Sequence, residues 1–203
     1  SRHLPMRQTH DMAHLFIFGL GYSAKYIRSA AQGHGWQVTA TGRDGDMAFD
    51  DTVAVHAALA GATHVLSSVP PADGMDPVLT LYGDVLRQPW LGYLSSTGVY
   101  GNTNGAWVDE TAPIGTGRRA TRAEADVAWL QKGARVFRLP GIYGPGRSAL
   151  ERVAEHRAHR IDLPDQVFSR VHVADIASGV IAGLEAPAGA YNLADDLPCS
   201  QNA

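Results

Sequence analysis

The chain has 203 residues, of which 45% are hydrophobic, and a formal net charge of −3 from 17 basic and 20 acidic residues. A chain of this length buries one substantial core, so we expect a single domain. The charge balance and the lack of a Lys/Arg run argue against a nucleic-acid partner. The only cysteine, Cys199, excludes an internal disulfide framework and a cysteine-based metal cage, and it fits a reducing, cytoplasmic compartment.

The sequence also indicates which part of the chain forms the folded domain. No apolar stretch approaches the roughly 20 residues that cross a bilayer, so we predict no membrane partner. Residues 1–13 are polar and rich in His and Arg, and we interpret them as a leader or an expression remnant. Residues 14–203 would form the folded domain, with short substrate-side elements in 146–203.

Strands and helices are predicted to alternate along the chain. An apolar run from Leu15 to Phe18 ends at a glycine, and helical spacing follows up to the "GHG" stop at 33–35. Further strands are predicted at 36–43, 90–98 and 189–196, and at 63–69 before a stop at Pro70 and Pro71. Another strand begins at 134 and enters a Gly/Pro loop that reaches 144, and a very short strand is predicted at 46–50. Further helices are predicted at 53–62, 76–88, 117–133 and 147–160, and the segment 167–184 joins an extended piece to a helix. This order predicts an α/β fold, a Rossmann-like doubly wound parallel sheet with helices on both faces and a reduced C-terminal substrate part.

The stretch "FGLGYSAKY" fits the pattern G-x-G-x-x-G/A at Gly19, Gly21 and Ala24. In this pattern the first glycine permits the turn, the second lets the backbone approach a pyrophosphate, and the small third residue lets the helix pack on the strand. The helix N-terminus, with Tyr22 and Ser23 in its first turn, offers N–H groups to phosphates. The pattern follows a strand and opens a helix, which favours a dinucleotide site over a turn that serves packing alone.

The end of the second predicted strand indicates which dinucleotide is preferred. An NAD site usually has a carboxylate there to bond the ribose hydroxyls, whereas this chain has Thr41 and Arg43. A guanidinium pairs well with a 2′-phosphate, so we predict NADP in preference to NAD. The alternative is that Arg43 is a solvated loop residue and Asp44 binds the ribose.

Three further segments are "YLSSTGVYG" (93–101), "FRLPGIYGPGR" (137–147) and "RVHVADIA" (170–177). Together with the glycine turn they resemble the extended and atypical short-chain dehydrogenase/reductases, in particular the NAD(P)-dependent nucleoside-diphosphate-sugar epimerase/dehydratase-like branch, over about Leu15 to Pro198. The resemblance implies that Ser96, with Thr97 as a substitute, bonds the reacting substrate oxygen. The alternative is that residues 95–97 satisfy backbone groups at a strand end.

The acid/base pair of the family, Tyr-x-x-x-Lys on the next helix, is missing from this chain. If the helix is aligned with the family on Trp129, Arg118 stands in the tyrosine position and Arg122 in the lysine position. If it is aligned on Glu124, Thr116 and Ala120 stand in these positions instead. Arginine does not deprotonate in proteins and cannot be the acid. Arg122 would bond the cofactor ribose in place of the lysine, or else it is a solvent-facing helix residue.

The resemblance implies the remaining site residues. For the cofactor they are Ser68, Pro70, Pro140, Gly141 and Ile142; for the substrate they are Tyr100, Tyr143, Arg147 and Arg170, with the two arginines contacting anionic groups. The implied substrate is a small molecule such as a nucleotide sugar, and the implied assembly is a homodimer. His172 is predicted to be structural, and we predict no metal.

Two main hypotheses follow from these residues. The first is an NADP-dependent oxidoreductase or epimerase-like enzyme with a modified acid/base set, which the "SSTGVYG" segment favours. The second is a catalytically inactive NADP(H)-binding sensor or scaffold, which the missing tyrosine favours. A third, ranked below both, is a site for a flavin or another nucleotide at the same helix N-terminus.

Overall fold

The computed structural model describes residues 13–115, 120–148 and 167–200. The predicted leader, except for its last residue, and most of the predicted helix at 147–160 lie outside the described residues. Thr116 and Arg118, which were considered for the acid/base positions, also lie outside them.

Six strands form the central sheet, and every neighbouring pair is parallel. They are β1 (His14–Phe18), β2 (Gln37–Ala40), β3 (His64–Ser67), β4 (Trp90–Ser96), β5 (Arg135–Leu139) and β9 (Gly189–Asn192). Their order across the sheet is β2-β1-β3-β4-β5-β9. The chain therefore builds outward in both directions from β1, which confirms the predicted doubly wound, Rossmann-like sheet and places a crevice at the carboxyl end of β1.

Helices cover both faces of the central sheet. Successive residues of a strand point to opposite sides of the sheet, so each strand contributes side chains to the core on both faces. Leu15 and Ile17 of β1 belong to one buried cluster, whereas Phe16 and Phe18 belong to the other. Helices α1 (Tyr22–Gly33) and α5 (Val173–Gly183) bury apolar residues in the first cluster. Helices α2 (Thr52–Gly61), α3 (Pro77–Tyr82) and α4 (Ala120–Gln131) do so in the second.

The prediction of a very short strand at 46–50 is wrong. Met47 makes only an isolated bridge to Thr41. Asp46 occupies the end of β2 instead: its carboxylate accepts from the Ala40 N–H at 2.8 Å, and its own N–H donates to the Ala40 carbonyl at 2.8 Å. A tight turn therefore uses the backbone groups that a strand would need.

One predicted loop contains a further strand, and one predicted helix is shorter than expected. The strand predicted from 134 ends before Pro140, which has no N–H to continue a ladder. Beyond it, β6 (Gly141–Tyr143) pairs with β8 (Arg170–His172) in a separate small parallel sheet, and β7 (Val167–Phe168) pairs with β10 (Cys199–Ser200). Helix α3 ends at Tyr82 because Gly83 and Asp84, both poor helix formers, follow it.

Candidate functional site

The carboxyl ends of the parallel strands meet at one edge of the sheet. The register pairs Phe18 with Ser67, Ser96 with Leu139, and Arg138 with Asn192. The loops that leave these ends contain the glycine turn, the "STGVY" segment and the "PGIYGPGR" segment. Segments far apart in the sequence are thereby gathered around one crevice.

The glycine turn has the conformation that its sequence pattern predicts. Gly19 has φ +84°, and a Cβ there would lie 2.9 Å from the Val69 side chain. Gly21 is exposed, and a Cβ on it would meet nothing within 4 Å. Ala24 is fully buried in the cluster between α1 and the sheet. The three positions thus show a turn, an open backbone face and a close packing contact, which are the features that the approach of a pyrophosphate requires.

Helix α1 begins at this turn with Gly21 as its N-cap, and no described side chain caps it. Its first turn contains no acidic residue. The N-terminal N–H groups of a helix have no acceptor within the helix, and the helix dipole places a partial positive charge beside them. The described first turn of α1 is therefore suited to an anion.

Two residues predicted to contact the cofactor hold the turn in place. Thr41 is fully buried, and its hydroxyl oxygen accepts from the Gly19 N–H at 3.0 Å while its carbonyl accepts from the Leu20 N–H at 2.8 Å. The Ser68 hydroxyl donates to the Gly19 carbonyl at 2.8 Å. The prediction that Thr41 binds cofactor is corrected, because the side chain has no exposed surface; both residues fix the shape of the turn from neighbouring strands.

The segment after β2 places two charged side chains at the surface. Arg43 is exposed, and Asp44 forms an ion pair with Lys25 on α1. The hydrogen bond from Lys25 is the largest influence on this carboxyl, and it lowers the pKa of Asp44. The carboxylate that the NAD alternative would use is thus engaged by a cation in this structure.

At the end of β4, the hydroxyl oxygen of Ser96 accepts from the Gly98 N–H at 3.1 Å and caps the short 3₁₀ helix Thr97–Tyr100. This contact is the backbone role that the alternative interpretation predicts. It uses an oxygen lone pair and leaves the Ser96 proton available for donation. Thr97 is half-buried beside it.

Beneath this segment lies a buried polar network. Arg138 donates through Nε and Nη2 to the two carboxylate oxygens of Asp126, at 3.0 and 2.8 Å, and through Nη1 to the Tyr100 hydroxyl at 2.9 Å. The Ser95 hydroxyl donates to Asp126 at 2.7 Å, and the Tyr100 hydroxyl donates to the Asn192 side chain at 2.7 Å. The network connects β4, α4, β5 and β9 directly below Ser96.

The prediction of Tyr100 as a substrate residue is corrected by this network. Its side chain is 5% exposed, and its hydroxyl proton is directed to Asn192. Sequence reasoning did not identify Asp126 and Arg138 as a pair. Two features of the sequence could have indicated the pair. Asp126 is a charged residue at an inward position of an amphipathic helix, and Arg138 is a charged residue within the strand "RVFRL".

Arg122 connects the start of α4 to β4. Its Nη1 donates to the Tyr93 hydroxyl at 3.0 Å and to the Leu94 carbonyl at 3.2 Å, so the solvent-facing alternative is wrong. Burial raises the pKa of Tyr93 to about 12 although the Arg122 charge opposes the rise, so Tyr93 remains a phenol. Tyr93 also stacks on Trp129, in the cluster on the helix side of β4.

The small β6–β8 sheet holds the other predicted substrate tyrosine. The Tyr143 hydroxyl donates to the Asp195 carboxylate at 2.8 Å, which raises the pKa of Tyr143, and its ring packs edge-on against His172. His172 accepts from the Ala174 N–H at 3.2 Å and caps α5, in keeping with the structural role predicted for it. The half-buried Arg170 precedes these residues on β8.

The remaining predicted cofactor residues lie on two loops at the same edge. Pro70 is exposed just after β3, while Pro140 and Ile142 are half-buried and Gly141 is exposed after β5. Arg147, predicted to contact substrate, lies against Tyr22 of the glycine turn: its guanidinium carbon is 4.3 Å from the centre of the Tyr22 ring.

Across the described ranges, no group of three or more His, Cys, Asp or Glu side chains could hold a metal ion. None of the helices in those ranges is long and apolar enough to span a membrane.

Solved structures of an epimerase and a dehydratase share the sheet order and the helical layers of this chain. A UDP-glucose 4-epimerase from Thermus thermophilus, in complex with NAD, has a TM-score of 0.67 at 18% identity, covering 92% of this chain and 79% of its own. The dTDP-glucose 4,6-dehydratase from Bacillus anthracis str. Ames, also in complex with NAD, has a TM-score of 0.73 at 14% identity, covering 94% and 78%. These similarities confirm the fold that the motifs predicted.

A more similar protein places the chain in a family. A functionally unknown conserved protein from Silicibacter pomeroyi DSS is 39% identical, with a TM-score of 0.79, over 94% of this chain and 75% of its own. The chain therefore belongs to the same family as that conserved protein. No protein-family model and no curated protein matches it.

Proposed function

We propose that this protein binds NADP(H) at the glycine turn and acts as an epimerase/reductase-like enzyme with an atypical acid/base set. The observation that supports the proposal best is the pre-formed turn, in which Thr41 and Ser68 hold Gly19 while the backbone of Gly21 faces open space. NAD is bound in the solved epimerase and dehydratase structures that share the fold. A bound nicotinamide cofactor would supply hydride transfer.

The proposed cofactor residues follow from their positions. The first turn of α1, with Gly21, Tyr22 and Ser23, would bind the pyrophosphate. Arg43, exposed at the end of β2, would bind the 2′-phosphate, since Asp44 is paired with Lys25. Arg122, which contacts Tyr93 and Leu94 of β4, would bond the nicotinamide ribose in place of the family lysine.

On the substrate side, Ser96 and Thr97 would donate hydrogen bonds to the reacting oxygen. The Ser96 contact to Gly98 leaves its proton for this purpose. Tyr143 and Arg170, on the β6–β8 sheet, would contact the substrate. We propose a nucleotide sugar because a UDP-glucose 4-epimerase and a dTDP-glucose 4,6-dehydratase share this fold. Residues 146–203 would supply the rest of the substrate side of the site. A homodimer in the cytoplasm remains our proposal for its assembly and location.

A variant of Gly21 gives a direct test of cofactor binding. Gly21→Ala adds a methyl group that touches no protein atom within 4 Å but occupies the face where a pyrophosphate would approach. We expect it to melt like the wild type and to bind NADPH at least about tenfold more weakly. Gly33→Ala, which also adds a Cβ in open space but at the far end of α1, is the matched control. Equal NADPH affinity of wild type and Gly21→Ala would count against this site.

A second candidate function is an NADP(H)-binding sensor or scaffold without turnover. The missing tyrosine on α4 and the capping role of Ser96 favour it. NADPH oxidation with a panel of carbonyl compounds and nucleotide sugars separates the two functions. Turnover that Ser96→Ala and Thr97→Val reduce supports the enzyme, whereas tight binding without any turnover supports the sensor.

A further inference from the structure

The loop after β6 is fastened to the first residue of α1. The Tyr22 hydroxyl donates to the Pro145 carbonyl at 2.8 Å, and the Arg147 guanidinium stacks over the Tyr22 ring. The Arg147 N–H donates to the Gly144 carbonyl at 2.9 Å, which closes the loop into a turn. These contacts hold the guanidinium beside the N-terminal turn of α1.

Close packing at Gly144 fixes the same loop from the other side. Gly144 has φ +151°, and a Cβ on it would lie 2.7 Å from a Val173 methyl carbon and 2.8 Å from the Tyr22 hydroxyl oxygen. The loop is therefore confined between α1 and the start of α5.

Among the described residues, no acid forms an ion pair with Arg147. Two cations of α1, Lys25 and Arg28, pair with Asp44 and Asp46. The described first turn of α1 contains no acid. A cation at the positive end of a helix is unfavourable by itself, and an anion between the two would relieve the repulsion.

We propose that Arg147 contacts the pyrophosphate of the dinucleotide, and is a cofactor residue instead of the substrate-anion residue that the family resemblance implies. This inference rests on the proposed function. The planar guanidinium presents paired donors that match phosphate oxygens. Its stacking on Tyr22 orients it in advance, which reduces the conformational entropy lost on binding.

The test compares ADP-ribose, which has the pyrophosphate but no 2′-phosphate, with NADPH. Wild type, Arg147→Ala and Arg43→Ala are titrated with both ligands, together with Arg87→Ala. Arg87 is an exposed arginine three residues before β4 begins, at the other end of the sheet. Arg147→Ala is expected to weaken the binding of both ligands by about tenfold or more. Arg43→Ala is expected to weaken the binding of NADPH alone. Arg87→Ala should change neither, and melting curves confirm that each variant is folded.

The outcomes separate this inference from the proposed function. Wild-type affinity of Arg147→Ala for both ligands, or a loss with NADPH but not with ADP-ribose, overturns the pyrophosphate contact and leaves the cofactor site standing. A folded wild type that binds neither ligand overturns the proposed function, and this inference with it.

Discussion

The side chain of Thr41 accepts a hydrogen bond from the backbone N–H of Gly19 at 3.0 Å, so the end of β2 holds the turn that follows β1. Thr41 is fully buried, and water cannot replace it as the acceptor. The shape of the candidate cofactor turn therefore depends on a side chain from a neighbouring strand as well as on its own glycines.

Thr41→Val tests this dependence with almost no change in side-chain shape. It leaves the Gly19 N–H without its acceptor, and we expect a loss of about 1–3 kcal/mol in the free energy of unfolding. Urea denaturation measures the loss. Thr52→Val, at an exposed position, should stay within about 0.5 kcal/mol of the wild type. An unchanged midpoint for Thr41→Val would show that the turn does not need the hydroxyl.

The buried pair of Asp126 and Arg138 should be sensitive to the removal of one partner. Arg138→Met leaves the Asp126 carboxylate buried without its cation, and we expect a destabilisation of about 3–5 kcal/mol. The double variant Asp126→Leu/Arg138→Met removes both charges and should be less destabilised than the sum of the single variants. A double-mutant cycle from denaturation curves measures the coupling, and simple additivity would contradict the pairing.

Two glycines of one loop should respond differently to the same substitution. Gly144→Ala places a Cβ within 2.8 Å of both Val173 and Tyr22, whereas Gly146→Ala meets nothing within 4 Å. Gly146 also has a positive φ, of +74°, so its variant carries backbone strain without the Cβ contacts that Gly144→Ala would make. We expect Gly146→Ala to lose about 1 kcal/mol and Gly144→Ala about 1–3 kcal/mol more. Equal melting temperatures for the two variants would show that the loop is not confined as described.

His64 should make the stability of the protein depend on pH. Burial, with a smaller contribution from the Arg135 charge, lowers the pKa of His64 to about 4. Between this value and the ordinary histidine pKa of 6.5 the unfolded chain binds more protons, so the free energy of unfolding falls as the pH falls through this window.

The contribution of this half-buried ring is on the order of 1 kcal/mol after allowance for solvent screening. His64→Gln should flatten the dependence of the melting temperature on pH between about 4 and 6.5. His56→Gln, at an exposed position on α2, is the control. A His64→Gln profile parallel to that of the wild type would contradict the prediction.

Local sequence patterns predicted the elements and the glycine turn because strand, turn and helix are contiguous between 14 and 33. They did not predict contacts that depend on the register of distant strands. The resemblance implies that Tyr100 contacts substrate, but its hydroxyl is bonded to Asn192, 92 residues further on. The position of Thr41 at the end of the second strand predicts a cofactor residue. Its burial against Gly19 depends on the parallel alignment of β1 and β2, which is a tertiary feature.

The contact between Tyr22 and Arg147 also could not be predicted from local patterns, because it joins the first helix to a loop beyond β6. The motif that contains Arg147 indicates a crevice, but only the fold shows which side of that crevice the guanidinium lies on.

Parallel titration of the folded protein with NADPH and NADH, followed by cofactor fluorescence and repeated with Arg43→Ala, tests the central proposal most directly. We predict tighter binding of NADPH than of NADH, and a loss in Arg43→Ala that affects NADPH selectively, by about tenfold or more. Failure of the folded wild type to bind either cofactor would contradict a dinucleotide site at this glycine turn.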